Sequence, residues 1–192
     1  MNVPGYTYGS AEAAPSPVTA DELAKLEQSI GWTPEDAQLL QKHADLFRAR
    51  AERMVHAWRG IIASQPHLAA SFLSADGKPD EAYKARAGSR LVQWVVDVVT
   101  RPHDRDWLNY QEEIGLRHAP EKKNRTDGAS AAPFVPLRYL VAFIAVITPL
   151  GEYLGDAIPD PAELAALEHA WMKAATLHVT LWARPYVIGG LW

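Results

Sequence analysis

Residues 107–118 read Trp107-Leu-Asn-Tyr-Gln-Glu-Glu-Ile-Gly-Leu-Arg-His118, and Ala119-Pro120 follows. Trp107, Gln111, Ile114 and His118 recur at steps of four, three and four, which places them on one face of an α-helix. The spacing predicts a helix from Asp104 to about His118, closed by Pro120. His118 is the last residue of that face, so its imidazole projects inward at a helix C-terminus. A neutral imidazole nitrogen is a good iron ligand. Its other ring N–H needs an acceptor, and backbone carbonyls one turn back are available. A hydrogen-bonded core histidine fits the same pattern, and periodicity alone favours that plainer role over ligation.

Outward from this stretch the periodic signal is helical almost throughout. Residues 1–19, rich in Pro, Gly, Ser and Tyr, read as an irregular arm. Thr19 caps a helix from Ala20 to Ile30, ended by Gly31. Thr33-Pro34-Glu35-Asp36 combines a cap, a proline at the first helical position and two acids in the first turn. The pattern then continues to about Ser64, long enough that a break near Arg48–Arg50 is expected. A short piece spans Pro66 to Phe72, and Asp76-Gly77 is a turn. A helix runs from Asp80 to Thr100 with Leu91 and Trp94 on its apolar face. Residues 119–135 read as a polar loop. An apolar helix from Pro136 to Asp156 is kinked by Pro149, and the last runs from Pro159-Asp160-Pro161 to about Ala183. No strand pattern of useful length is present. Seven or eight helices of unequal length exclude a simple four-helix bundle and suit an orthogonal, globin-like arrangement.

Composition narrows the function. The chain has 192 residues, which is one domain, with 1–19 as the arm and 20–192 as the body. Its net charge of −4 argues against a nucleic-acid binder that works by bulk positive charge. The absence of cysteine excludes disulfides, zinc–thiolate sites, iron–sulfur clusters and cysteine nucleophiles. The first residues show no signal-peptide pattern, and the longest apolar stretch, Tyr139 to Ile147, is too short for a membrane span, so a soluble cytoplasmic protein is expected. Seven Trp stand against four Phe, and large rings suit a core or a wall around a flat ligand.

Few other residues suggest chemistry. None of the seven histidines has a zinc-helix or di-iron spacing. His178 lies on an apolar face of the last helix, where packing is the favoured role. Trp58, Arg59, Leu91, Trp94 and Phe143 come from three helices and can line a pocket opposite His118. Arg59 is then exposed, salt-bridged or aimed at a ligand, because an unpaired buried guanidinium is costly. Lys122-Lys123-Asn124-Arg125 reads as a solvated stretch. No phosphate-cradling loop, nucleophile elbow or Ser–His–Asp arrangement is legible.

At these residues the chain resembles the protoglobins, single-domain haem proteins related to the sensor domains of globin-coupled sensors. The arm Pro4-Gly5-Tyr6-Thr7-Tyr8-Gly9 carries the likeness, as do Trp107 to His118, Lys122-Lys123-Asn124 and Thr126-Asp127. So do Arg138 to Ile144, Trp171 to Trp182, and Pro185-Tyr186-Val187, and together they cover essentially the whole chain. The resemblance implies an all-α globin sandwich extended by an additional N-terminal helix and the arm. It implies a non-covalent b-type haem with His118 as proximal ligand, and O2, CO or NO at the open sixth position. It further implies a homodimer through the last two long helices. On the distal side Trp58 and Phe143 match the family's tryptophan and phenylalanine, whereas Leu91 replaces a common phenylalanine and Arg59 a ligand-bonding tyrosine. Arg59 is then expected to reach the bound ligand or a haem propionate. Ile114 is expected beside His118 against the haem. The alternative activity is peroxidase-like or NO/nitrite redox turnover on the same haem.

Overall fold

The first two helices start the same way. Thr19 Oγ1 accepts from the Glu22 N–H, and the Glu22 carboxylate accepts from the Thr19 N–H. Thr33 and Asp36 repeat the arrangement, with Pro34 at the first helical position. Each reciprocal pair satisfies two amides that a helix start leaves free. Later helices use single aspartate caps: Asp80 on the Tyr83 N–H, Asp104 on that of Trp107, and Asp160 on that of Ala162.

The computed structural model describes residues 3–187 and 192. In chain order the helices are α1 (Ala20–Ser29), α2 (Pro34–Lys42), α3 (Ala44–Ser64), α4 (Pro66–Ala69) and α5 (Glu81–Thr100). They continue with α6 (Arg105–His118), α7 (Leu137–Ile147), α8 (Gly151–Leu154) and α9 (Pro161–Ala183). Short 3-10 turns cover Ala70–Phe72 and Arg184–Tyr186. Among the described residues β-structure is confined to two isolated bridges, Leu73 with Pro79 and Ser74 with Ala131. The fold is all-α and globin-like. α9 is its axis, packing against α2, α6 and α7, while α3 packs along α5. That position explains why α9 buries residues all round, from Leu167 through Trp171, Ala174 and His178 to Trp182. The main core joins Phe47, Trp58, Trp94 and Trp171; a smaller one, with Leu23, Trp107 and Leu181, lies beneath α1 and the arm.

Three expectations are corrected. The long run after Thr33 breaks at His43, not near Arg48–Arg50. His43 Nε2 lies 2.8 Å from the Glu163 carboxylate of α9, and from there α2 follows α9 while α3 follows α5. Pro149 separates two helices, α7 and α8, instead of kinking one. The Leu150 and Gly151 amides are taken by Glu168 Oε1 at 2.7 and 2.8 Å. Lys123 is not solvated: it is 2% exposed, donates to the Ser71 carbonyl at 2.8 Å, and lies over the Tyr83 ring.

Candidate functional site

α6 delivers His118 to the end of an apolar cavity. The Ala119 N–H returns to the Gly115 carbonyl, and Ala119 then turns extended ahead of Pro120, so the helix stops at His118. Gly115 is required by packing. A Cβ there would stand 3.1 Å from Trp182 Cα and 3.2 Å from the Trp182 carbonyl oxygen, so its absence lets the α9 backbone lie against α6. That approach brings Trp182 onto the His118 ring, stacked at 5.5 Å and 22°. Trp182 is held in turn by its indole N–H, which donates to Gln111 Oε1 at 2.9 Å.

The imidazole is set in one tautomer. Nδ1 lies 2.9 Å from the Ile114 carbonyl oxygen, which can only accept, so Nδ1 carries the proton. Nε2 therefore keeps its lone pair, and no hydrogen bond from the described residues occupies it. Burial, with Lys123, Arg117 and Arg90 facing the ring, pushes the pKa down to about 4 against the pull of the Ile114 hydrogen bond. The ring is neutral at physiological pH and presents a free donor atom.

The cavity wall takes in Ile114 and His118 from α6, Leu91 and Trp94 from α5, Phe143 from α7 and Trp182 from α9. Five of the residues singled out in the sequence, His118, Ile114, Leu91, Trp94 and Phe143, thus meet around one space. Trp58 and Arg59 do not line it. Trp58 is buried in the main core with its ring edge against Tyr153, and its indole N–H meets no acceptor among the described residues. Arg59 lines an outer groove between α3 and α5, and its guanidinium lies where a Cβ at Gly88 would be. The bare backbone of α5 at Gly88 is what admits it.

The arm closes the cavity's polar side. Arg90 and Arg117 both line the cavity and both hold the arm: Arg90 donates to the Pro4 carbonyl at 2.9 Å, and Arg117 to the Gly5 carbonyl at 2.6 Å. Gly5 has φ +73°, and a Cβ on it would press on the Arg90 guanidinium, so glycine is needed there on both counts. Tyr6 donates to Asp97 at 2.7 Å, and the Ala14 N–H to Glu113 at 3.0 Å. Asp127 binds Arg90 and Arg86, and Glu113 binds Arg117 and Lys122. Burial alone would raise both carboxyls; their cationic partners hold them below the ordinary range. Sequence reasoning missed this latch, although the Glu113–Arg117 and Arg86–Arg90 spacings of four were the signal available.

A sequence model of the Protoglobin family matches residues 19–192. The chain belongs to the protoglobin family. Among curated proteins none matches. The solved globin domain of the Geobacter sulfurreducens globin-coupled sensor superposes with a TM-score of 0.63 at 17% identity, covering 85% of this chain and 96% of that one. The likeness is one of fold.

The cavity suits the haem that the protoglobin resemblance implies. It offers one neutral imidazole with its lone pair free and flat aromatic walls. Among the described residues no group of three or more His, Cys, Asp or Glu is placed to hold a bare metal ion. No described helix is long and apolar enough to cross a membrane.

Proposed function

We propose that this protoglobin is a b-type haem protein that binds O2, CO and NO, with His118 as the proximal ligand. The observation that carries the reading is the free Nε2 of His118, neutral and fixed at the cavity by the Ile114 hydrogen bond. Held by His118, a non-covalent haem would supply an iron centre able to bind a diatomic gas. The Ile114 carbonyl orients the imidazole and strengthens its donor character. Trp182, pinned by Gln111, stops the ring from rotating about its long axis. Leu91 and Phe143 keep the cavity apolar, and the arm, bolted through Arg90 and Arg117, keeps bulk water out. Arg59, in its outer groove, leaves the ligand side without a charged donor from that position.

The reading includes a homodimer through α7 and α9. Its support is the apolar surface that α7 leaves uncovered, with Val141 52% exposed, Ala142 and Ala145 beside it, and Met172 of α9 40% exposed.

The test is the visible spectrum of the haem-reconstituted protein, ferric, ferrous and ferrous with CO. A Soret band that shifts with CO in the wild type, and is lost or displaced in His118→Ala, is the expected result. The absence of a Soret band after reconstitution would overturn the reading.

A further inference from the structure

A row of rings leaves the cavity and reaches the surface. His118 stacks on Trp182, and Trp182 meets His178 at 5.9 Å. His178 stands edge-on to Trp107 at 5.2 Å. Trp107 stacks on His103 at 4.1 Å, and His103 on Trp32 at 5.1 Å. Trp32 is half-exposed, so the row ends in solvent. Its three indoles alternate with imidazoles, and every ring touches the next. Aliphatic side chains would fill this space equally well, whereas aligned π-systems also couple electronically.

Charge is graded along the row. At the inner end Lys123, bonded to a carbonyl and not to a carboxylate, faces His118, and the neighbouring Arg117 and Arg90 are paired with Glu113 and Asp127, so Lys123 carries the uncompensated positive charge there. At the outer end the Glu27 carboxylate lies 2.6 Å from His103 Nδ1, with Asp104 nearby. A positive hole on an indole is repelled by this inner cation and attracted by the outer carboxylates. The proton inventory runs the same way. The Trp182 N–H is held by a neutral amide, while among the described residues the only carboxylate hydrogen-bonded to a ring of the row is Glu27.

We propose that Trp182, His178, Trp107, His103 and Trp32 carry oxidising equivalents out of the cavity, so that a hydroperoxide reduced there draws its electrons from the row and finally from Trp32 at the surface. The proposal rests on the haem reading above. Reduction of hydrogen peroxide to two waters consumes two electrons and two protons. Each indole that gives up one electron also releases its ring N–H proton, so two indole oxidations balance one peroxide. The row thereby moves damage away from the cavity and opens Trp32 to a one-electron donor in solution.

The test uses the haem-loaded protein, its Soret band recorded first, with one equivalent of hydrogen peroxide and a nitroso spin trap, the adducts being located by peptide mass. The adduct is expected mainly on Trp32. Trp192, exposed but off the row, serves as the control. His103→Leu interrupts the row, and Glu27→Gln removes its outer charge without changing size. Each is expected to lower the Trp32 adduct at least about fivefold with the Soret band unchanged. Equal labelling of Trp32 and Trp192, or an undiminished Trp32 adduct in Glu27→Gln, would overturn the proposal while leaving the haem reading intact. A protein that takes up no haem would overturn both, and the missing Soret band distinguishes that case.

Discussion

His118 and His178 occupy two neighbouring regions that look alike in their chemistry. Both imidazoles are held neutral chiefly by burial and both rest against Trp182, although His118 borders the cavity and His178 is fully buried. Their difference lies in one hydrogen bond. Nδ1 of His118 donates to the Ile114 carbonyl, so its proton is on Nδ1 and its lone pair is on Nε2. Nδ1 of His178 accepts from the Trp94 indole N–H at 2.8 Å, so its proton is on Nε2, where no acceptor among the described residues meets it. The first ring can ligate a metal, while the second presents an N–H into packed core. The neighbour that holds Nδ1 therefore decides which buried histidine is a ligand.

The largest effect that sharpens this contrast is on haem affinity. His118→Ala is expected to weaken haem binding by more than about a thousandfold, roughly 4 kcal/mol. His178→Leu, similar in volume and free of the orphaned N–H, is expected to leave affinity within about threefold, below 1 kcal/mol. Haem-transfer kinetics to an acceptor apoprotein measure both. Equal losses in the two variants would break the comparison.

Acid comes next. In the folded apoprotein His118 takes its proton at about 4, against an ordinary value of 6.5. The unfolded chain therefore protonates first. Stability from this group is full above pH 6.5, declines as pH falls, and is spent near pH 4, a total of about 3 kcal/mol. Urea titrations of apoprotein across that window are expected to show the slope, and His118→Leu to reduce it. His178, also lowered, contributes in the same direction, so a residual slope is expected in that variant. Glu113 and Asp127, whose pKa values are held below the ordinary 4.5 and 3.8, lose their contribution as pH falls through and below those values, and the arm is released.

The smallest effect concerns the joint between the two regions. Gly115→Ala places a methyl group against the Trp182 backbone and is expected to cost about 2 kcal/mol. It also shifts Trp182 relative to His118, so the ferric Soret maximum is expected to move while haem is still bound. An unmoved band would mean that the stack does not orient the ring.

Much of this was legible in the sequence wherever the cause is local. The caps at Thr19, Thr33, Asp80, Asp104 and Asp160 act within a few residues of themselves, and the stop at Ala119-Pro120 does too. The position of His118 at the end of an apolar face follows from spacing. What stayed hidden depends on partners far along the chain. His43 breaks a helix where it meets Glu163. Lys123 is buried because Ser71 offers a carbonyl. Arg59 lies outside the cavity because position 88 is a glycine. The tautomer of His178 is likewise invisible without Trp94, more than eighty residues away, whereas that of His118 follows from a carbonyl one turn back.

The arm's attachments also set an order of events during synthesis. Gly5 is held by Arg117, 112 residues further on, and Tyr6 by Asp97, 91 residues further on. At ordinary elongation rates the arm leaves the ribosome on the order of ten seconds before its last anchor exists. The arm therefore docks only after α5 and α6 have emerged to receive it, and α7 and α9 follow later still. Until they arrive with Phe143 and Trp182, the cavity lacks two of its walls. Nascent protein thus passes through an interval in which the cavity is open on the side of α7 and α9 although the arm is already available to dock.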